Sequence, residues 1–284
     1  MDLREWGVRL EKVVETYSRE RNHQFFEDLV LEPTAISTWD QFQDWFSPFK
    51  RMGCFRGHAD AAWGLHPSFY RKIHQQWKVE TETTTAETVE SLDPERNERA
   101  IFYDFQRAAH HHYATPPDRG QIVDWLALMQ HHGAPTRMLD WTESPYVALF
   151  FAMQSGEAEE AALWAIDLAW LRTRSYEIMR HHDKSIPERY NPEVFRSNLN
   201  GMLFRADNPD VIVQATPWQN NERMQIQQGR LLCALNHSQS FPTTLLRMLV
   251  VPTLASEKQV VSKARIKRDR RIEFLDELRP DEYS

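Results

Sequence analysis

The sequence predicts a mixed domain, α/β or α+β in class, in which helices and short strands enclose one core behind a helical extension. Of the 284 residues, 41% are hydrophobic and 26% are charged, which is typical of a globular chain with a sizeable core. Apolar residues recur every three or four positions in some segments, as in helices, and form short bounded runs in others, as in strands. The sequence has no internal repeat, and the alternation of these two patterns favours the mixed class.

The first fifty residues are predicted to be helical. In DLREWGVRLEKVVETY the apolar residues lie three or four positions apart and define one helix face, formed by Trp6, Leu10, Val13 and Tyr17. A second helix is expected to begin near Ser37 or Thr38, either of which can cap it, and to end at Pro48. This divides the chain into an N-terminal helical extension, residues 1–50, and a core domain, residues 51–284.

The core domain is predicted to begin with a buried strand at 53–57 (GCFRG), followed by a strand and turn at 63–71. Residues 78–92 are rich in Thr and Glu, so we expect a solvated loop there. A helix should follow from residue 93, because Asp-Pro supplies an N-cap and a favourable first helical residue.

The middle of the chain is predicted to run helix, strand, helix. The first helix covers 120–131 and ends at Gly133, which suits a left-handed C-terminal cap. A short strand is expected at 136–141. The second helix begins at Ser144 and Pro145 and is apolar all round, so we expect it to be buried against a sheet.

Further strands are predicted at four apolar runs, namely 162–167, 211–215, 230–235 and 245–251. The segment from residue 257 onward is predicted to be helical. Its basic run, 258–271, could grip a nucleic-acid backbone, but a solvated helical face is the favoured interpretation.

Composition and charge exclude several classes of function. A net charge of −7 gives no general attraction to nucleic acid, which would require a local basic patch. The longest apolar run, 146–153, is too short to cross a bilayer, and the N-terminus lacks the pattern of a signal peptide. Cys54 and Cys233 are too few for a disulfide framework and are expected to be buried thiols. We therefore expect a cytoplasmic protein without a membrane partner. Most tryptophans are expected to pack the core.

Residues 126–152, LALMQHHGAPTRMLDWTESPYVALFFA, place polar side chains between two apolar, helix-like runs. The helix that begins after Thr142 would point its unpaired N–H groups at this stretch and favour an anion. Arg137, together with Arg56, would supply planar donors to phosphate. Asp140 and Thr142 would cap the helix or contact a ribose, beside a rim formed by Gln130, His131 and His132. The alternative is an internal network in which Arg137 pairs with Asp140 or with a carbonyl group.

Two other polar features are less specific. Adjacent histidines at 110–112, 131–132 and 181–182 would point in different directions on a helix, so no metal site is predicted. The segment 219–231, QNNERMQIQQGRL, holds several amide side chains around an Arg and a Glu. Such side chains can read a base or a carboxamide by hydrogen bonding, or they can form a polar surface turn.

Three segments of the sequence resemble the FRG domain, a bacterial and phage family named for its Phe-Arg-Gly motif. They are CFRG (54–57), WGLHPSFYR (63–71) and the long polar block within 126–152. The resemblance extends to STWDQF before them, to the helix from Glu98 to Phe105, and to RMQIQQGRL after them. It covers roughly residues 37–232 and identifies the chain as a member of this family.

The order of elements is also similar to that of ADP-ribosyltransferases, which transfer ADP-ribose from NAD to a protein or a nucleic acid. This resemblance implies an α+β fold with a mixed, mostly antiparallel split sheet flanked by helices, in addition to the N-terminal helical extension. It implies that Arg56 on a first strand, Thr142 at the end of a second, and Gln227 near a third form one site. The segments around residues 56, 137–142 and 223–227 should then build a single cleft.

The third segment departs from the transferase pattern, because Gln227 and Gln228 stand where a catalytic acid is expected. A carboxylate stabilises the oxocarbenium ion that forms as nicotinamide leaves, and an amide does so less well. Three acids could replace it from elsewhere in the fold, namely Glu98, Asp140 and Glu222. The resemblance implies catalytic roles for Arg56, Asp140, Thr142 and Gln227. It implies NAD contacts for Arg56, Gly57, Gln130, His131, His132, Thr136, Arg137, Trp141, Tyr146 and Arg223.

The expected function is therefore NAD-dependent ADP-ribosyl transfer to a nucleic acid or protein acceptor, in a toxin or antiphage setting, with an antitoxin or other partner protein. The alternative is a non-catalytic sensor whose pocket binds a nucleotide or a nucleic-acid end. A third reading, a metal-dependent phosphodiesterase, would use the histidine clusters.

Overall fold

A computed structural model of the chain describes residues 33–72, 94–109, 111–154, 158–187, 191–218, 225–237, 239–250 and 260–278. The strands are β1 (Thr34–Ile36), β2 (Gly53–His58), β3 (Met138–Thr142), β4 (Glu160–Asp167), β5 (Ile212–Ala215), β6 (Gly229–Ala234) and β7 (Val261–Lys267). The helices include α1 (Trp39–Phe46), α2 (Pro94–Ala109), α3 (Ile122–His131), α4 (Pro145–Gln154), α5 (Leu168–His182), α6 (Pro192–Met202), α7 (Phe241–Val250) and α8 (Arg271–Glu277). Two 3₁₀ turns lie at Ser47–Phe49 and Arg268–Arg270.

The strands form one seven-stranded sheet in the order β1-β7-β4-β2-β3-β6-β5. β1 runs parallel to β7, and every other neighbouring pair is antiparallel. The predicted α+β class, with a mixed and mostly antiparallel sheet flanked by helices, is confirmed.

Helices cover both faces of the sheet because strand side chains alternate between the faces. On β4, Leu163 and Ala165 belong to a core shared with α1, α4 and α8, whereas Trp164 and Ile166 belong to a larger core with α3, α5 and α7. The buried thiols Cys54 and Cys233 lie in the larger core, as predicted.

At the centre of the sheet, β2 and β3 are joined by one residue pair. β2 pairs with β4 along its whole length, and β3 does the same with β6, but β2 and β3 meet only at Phe55 and Thr142. The strand order is therefore continuous, but β2 and β3 are paired only at the last residue of β3 and are unpaired along the rest of that strand.

Local helix signals predicted from the sequence are confirmed. The Thr38 side chain accepts a hydrogen bond from the Gln41 N–H at 3.3 Å and caps α1. Gly133 adopts a φ of +74° just beyond α3, in the left-handed region that favours glycine. The Ser144 hydroxyl accepts from the Val147 N–H at 3.3 Å and caps α4.

Two predictions for the C-terminal part of the chain are wrong. The apolar run at 245–251 was predicted as a strand, but its described part, residues 245–250, belongs to α7. This helix begins after Ser240, whose hydroxyl accepts from the Thr243 N–H. The segment from 257 was predicted to be helical, with its basic run as a solvated face; residues 271–277 are helical in α8, but residues 261–267 form β7, which lies between β1 and β4. Lys263 is only 2% exposed there, with its ammonium 4.8 Å from the ring centroid of Trp164.

One further expectation needs correction, because residues 63–71 form an irregular loop and a short helical segment in place of a strand and turn. The prediction that α4 is buried against the sheet is confirmed, since one face packs on β2 and β4, while Tyr146 and Phe150 elsewhere on the helix are 41% and 43% exposed.

The predicted helix at the N-terminus and the predicted loop at 78–92 lie outside the described residues, and the domain boundary after residue 50 stays a prediction. Among the described residues, every helix is too short or too polar to cross a bilayer.

Candidate functional site

A cleft opens where β2 and β3 diverge. It has a volume of about 340 Å³ and is lined by α3 and the loop after β2, by α4, and by the residues that lead into β6. Segments distant in the sequence therefore meet at one place, represented by Arg56, Asp140–Thr142 and Gln227.

Arg56 spans the gap between the two strands with its side chain. Its Nε donates a hydrogen bond to Nε2 of His58 at 3.0 Å, and its Nη1 donates to the main-chain carbonyl of Asp140 on β3. Among the described residues, no acceptor contacts its Nη2. Burial lowers the pKa of the guanidinium, Asp140 raises it and Arg71 lowers it. Since arginine stays protonated in proteins, the cleft contains a fixed cation with an unused donor.

His58 holds Arg56 in place as a neutral acceptor. The imidazole is 4% exposed, and its Nδ1 lies 3.0 Å from the carbonyl oxygen of Trp63. Nδ1 therefore donates, which leaves Nε2 to accept from Arg56. Burial and the positive charge of Arg56 both lower the pKa of His58 well below its ordinary value, so the ring is neutral at pH 7.

Asp140 brings a carboxylate to the cleft. Among the described residues that line it, Asp140 is the one acid, and its side chain is exposed. No other described residue donates a hydrogen bond to this carboxylate. It is therefore accessible to a ligand, and its charge opposes that of Arg56 across the same space.

Thr142 ties the end of β3 to the segment that precedes β6. Its hydroxyl donates to the carbonyl of Gln227 at 2.6 Å and accepts from the Ser144 N–H at 3.0 Å. The hydroxyl proton is thus already used. The Gln227 side chain lines the cleft, and among the described residues its amide has no hydrogen-bond partner.

The start of α4 is satisfied by the chain itself. The Ser144 N–H and the Val147 N–H are bonded to the hydroxyls of Thr142 and Ser144, and Pro145 has no N–H to offer. The anion site predicted at this helix end is therefore largely occupied by side-chain caps.

Gly57 explains why the Phe-Arg-Gly motif ends in glycine. A Cβ at this position would lie 1.9 Å from the carbonyl oxygen of Ala148 and 2.7 Å from the nitrogen of Ala152. Both atoms belong to the main chain of α4, so the helix can approach β2 only because Gly57 has no side chain. Gly57 itself lines the cleft.

Gln130 and His131 at the end of α3, and Trp141 on β3, all of which were predicted to contact NAD, also line the cleft. The Gln130 Oε1 accepts a hydrogen bond from the hydroxyl of Thr136 at 2.6 Å. Thr136 is fully buried and lies behind Gln130, so it does not line the cleft.

Arg137 does not line the cleft. It is buried with Glu98 on α2, to which its Nε donates at 2.7 Å and its Nη2 also donates. Its Nη1 donates to the carbonyl of Leu235 at 3.1 Å, and His237 lies against the same Glu98 carboxylate at 2.9 Å. Arg137 therefore belongs to an internal network, which was the alternative considered from the sequence. Its carboxylate partner is Glu98 and not Asp140, and it also bonds to a main-chain carbonyl.

The Glu98 carboxylate should remain charged well below the pH at which a glutamate ordinarily takes up its proton. Burial alone would raise its pKa, but the charge of Arg137 and the hydrogen bonds from His237 and Arg137 lower the pKa to about 2, from an ordinary 4.5. The stabilisation is fully present above pH 4.5 and is lost as the pH falls towards 2. An NMR titration of the Glu98 carboxyl carbon should show no transition between pH 7 and 3.5. A midpoint near 4.5 would contradict the ion pair.

Three other predicted residues also lie away from the cleft or outside the described residues. The His132 ring contacts the Tyr113 hydroxyl on the protein surface. Tyr146 stacks on Trp39 of α1, with ring centroids 6.0 Å apart. Arg223 lies outside the described residues, as does Glu222.

Trp63 is a cleft residue that was not predicted from the sequence. It is 55% exposed at the cleft, in the loop after β2, whereas we expected most tryptophans to pack the core. The available signal was its place as the first residue of WGLHPSFYR, one of the segments that resemble the FRG domain. The described residues contain no group of three or more His, Cys, Asp or Glu side chains placed to hold a metal ion.

Comparison with known proteins identifies one family. The family model of the FRG domain matches residues 51–161. No curated protein and no solved structure matches the chain. The matched range includes β2, α3, β3 and α4, which supply most of the cleft lining. The chain therefore contains an FRG domain, at residues 51–161.

Proposed function

We propose that the protein is an NAD-dependent ADP-ribosyltransferase whose active site is the cleft between β2 and β3. The observation that supports this most is the meeting of Arg56, Thr142 and Gln227 at one cleft, because the transferase resemblance implies that the segments carrying these three residues form one site. A gap at the centre of a sheet, flanked by helices, offers a nucleotide both main-chain and side-chain contacts.

The carboxylate proposed for the reaction is that of Asp140. Of the three acids considered, Glu98 is buried in its ion pair and Glu222 lies outside the described residues, whereas Asp140 lines the cleft. In the reaction, the bond between the ribose C1′ and the nicotinamide nitrogen breaks, and its electron pair leaves with nicotinamide. The Asp140 carboxylate stabilises the positive charge at C1′. The acceptor then bonds to C1′ and gives up its proton to this carboxylate.

The remaining lining groups suit the rest of NAD. The unused Nη2 of Arg56 can donate to an oxygen of the pyrophosphate. The exposed ring of Trp63 offers a flat apolar surface on which an aromatic base can stack.

A second candidate function is nucleotide binding without turnover. Two observations favour it, because an amide (Gln227) stands where the transferase pattern has an acid and the Thr142 hydroxyl is already bonded. In this case the protein would act as a sensor, and NAD would bind without release of nicotinamide.

Replacing Arg56 with Ala should lower nicotinamide release from NAD by about 100-fold or more, because it removes the cation and the bridge to β3. The measurement is chromatography of free nicotinamide, with labelled NAD incubated with DNA, RNA and protein acceptors to detect transfer. Asp140→Asn should abolish release while calorimetry still detects NAD binding. Arg107→Ala is the matched control, because Arg107 is exposed on α2 and, among the described residues, pairs only with Asp104.

The outcomes separate the two candidates. Tight NAD binding by the wild type with no nicotinamide release under any acceptor would favour the sensor. Equal release by wild type and Arg56→Ala would refute the assigned site. A label transferred to one class of acceptor would identify the target and would open a direct test of the toxin or antiphage role.

A further inference from the structure

A buried hydroxyl holds the Gln130 amide in one orientation. Thr136 is fully buried, and its Oγ1 donates to Gln130 Oε1 at 2.6 Å while it accepts from the Met138 N–H at 3.3 Å. If the amide were turned over, the hydroxyl proton of Thr136 would have no acceptor among the described residues. No described residue accepts a hydrogen bond from the Nε2 of Gln130. This Nε2 is therefore the group that Gln130 presents to the cleft.

Trp141 supplies a second unused donor. Its side chain lines the cleft although it is only 3% exposed, and among the described residues its buried Nε1 has no hydrogen-bond partner. Buried indole N–H groups usually find an acceptor, since an unmade hydrogen bond costs free energy. An oxygen of a bound ligand would satisfy it.

We propose that Gln130 Nε2 and Trp141 Nε1 form a donor subsite for the carbonyl oxygen of the nicotinamide carboxamide, with Thr136 as its positioning residue. This inference rests on the proposed function, because it takes NAD as the ligand. Both donors are neutral, which suits an uncharged carbonyl oxygen, whereas the phosphates are better served by the cation Arg56. The subsite thereby holds the leaving group, opposite the part of NAD that is transferred.

Calorimetric titration with NAD and with ADP-ribose tests the assignment, because ADP-ribose lacks nicotinamide. Gln130→Glu keeps an acceptor for the Thr136 hydroxyl but removes the donor, and Trp141→Phe keeps an aromatic ring but removes the N–H. Each should weaken NAD binding about tenfold and leave ADP-ribose binding unchanged. Thr136→Val should have the same selective effect by freeing the amide, and Thr136→Ser should restore NAD binding.

Two matched controls separate this role from a structural one. Trp164→Phe removes an indole N–H that is also buried and unpartnered among the described residues but does not line the cleft. Thr244→Val removes a fully buried hydroxyl on α7 that donates to the carbonyl of Ser240, just before this helix. Both should bind NAD as the wild type does.

Equal weakening of NAD and ADP-ribose binding would overturn the assignment to the carboxamide, and unchanged NAD binding in Gln130→Glu and Trp141→Phe would overturn the subsite. A wild type that does not bind NAD would overturn it as well. If the variants lose NAD affinity selectively while the wild type releases no nicotinamide, the subsite stands and the transferase proposal fails.

Discussion

Replacing Glu98 with Gln should lower the free energy of unfolding by about 3–5 kcal/mol, because it leaves the charge of Arg137 buried without its counter-ion. Glu98 is fully buried, and both its oxygens accept hydrogen bonds from Arg137, through the main-chain N–H and the guanidinium. Gln has nearly the same shape as Glu, so the lost stability measures the effect of removing the charge and not that of creating a cavity. It should be measured by urea unfolding at pH 7.

The matched control is Glu95→Gln on the same helix. Glu95 pairs with Arg99 at the surface, where the two side chains are 20% and 42% exposed, so its loss should cost less than about 1 kcal/mol. Replacing Glu98 and Arg137 together with Leu and Met should recover much of the stability, because no unpaired charge remains. A Glu98→Gln variant that is no less stable than Glu95→Gln would contradict the described ion pair.

Replacing Gly57 with Ala should lower the free energy of unfolding by about 3 kcal/mol or more, because the added Cβ overlaps main-chain atoms of α4. Main-chain atoms cannot rotate away as a flexible side chain can, so the helix must shift as a body. Since α4 lines the cleft, a folded variant should also bind NAD more weakly.

Thermal or urea unfolding measures the stability change, and calorimetry measures the binding. Gly120→Ala is the control, because a Cβ there meets no atom within 4 Å and φ is not positive. Its stability should change by less than about 1 kcal/mol. Gly57→Ala with wild-type stability would mean that α4 does not contact β2 as described.

Local structure could be predicted from the sequence where its cause is local. The caps at Thr38 and Ser144 use hydrogen bonds within three residues, and the left-handed conformation of Gly133 depends on glycine alone. By contrast, β7 is a strand because it pairs with β1 and β4, and no local feature marks this. The Lys263 ammonium lies over the ring of Trp164, its partner on β4 far away in the sequence, so the basic segment was wrongly predicted as a solvated helix.

The candidate site, like the fold, could be predicted only in part from the sequence. Asp140 was identified because it stands in an unusual polar motif, and Arg56 because of the resemblance to the FRG domain and to transferases; both line the cleft. Arg137 stands in the same polar motif as Asp140 but its side chain is buried away from the cleft, and the sequence alone could not distinguish these two placements. A guanidinium binds a carboxylate and a phosphate by the same planar geometry, so only the position of Glu98 decides between them.

The single pair between β2 and β3 has a consequence for association with other chains. A strand edge with free N–H and C=O groups is normally open to pairing with a strand of another molecule. Here two such edges face each other inside the fold, along most of β2 and β3, with α3 and α4 beside them. Because both edges lie at the centre of the sheet and not at its outer sides, they are less open to pairing with a strand of another chain, and the Asp140 carbonyl on one of them is already bonded to Arg56.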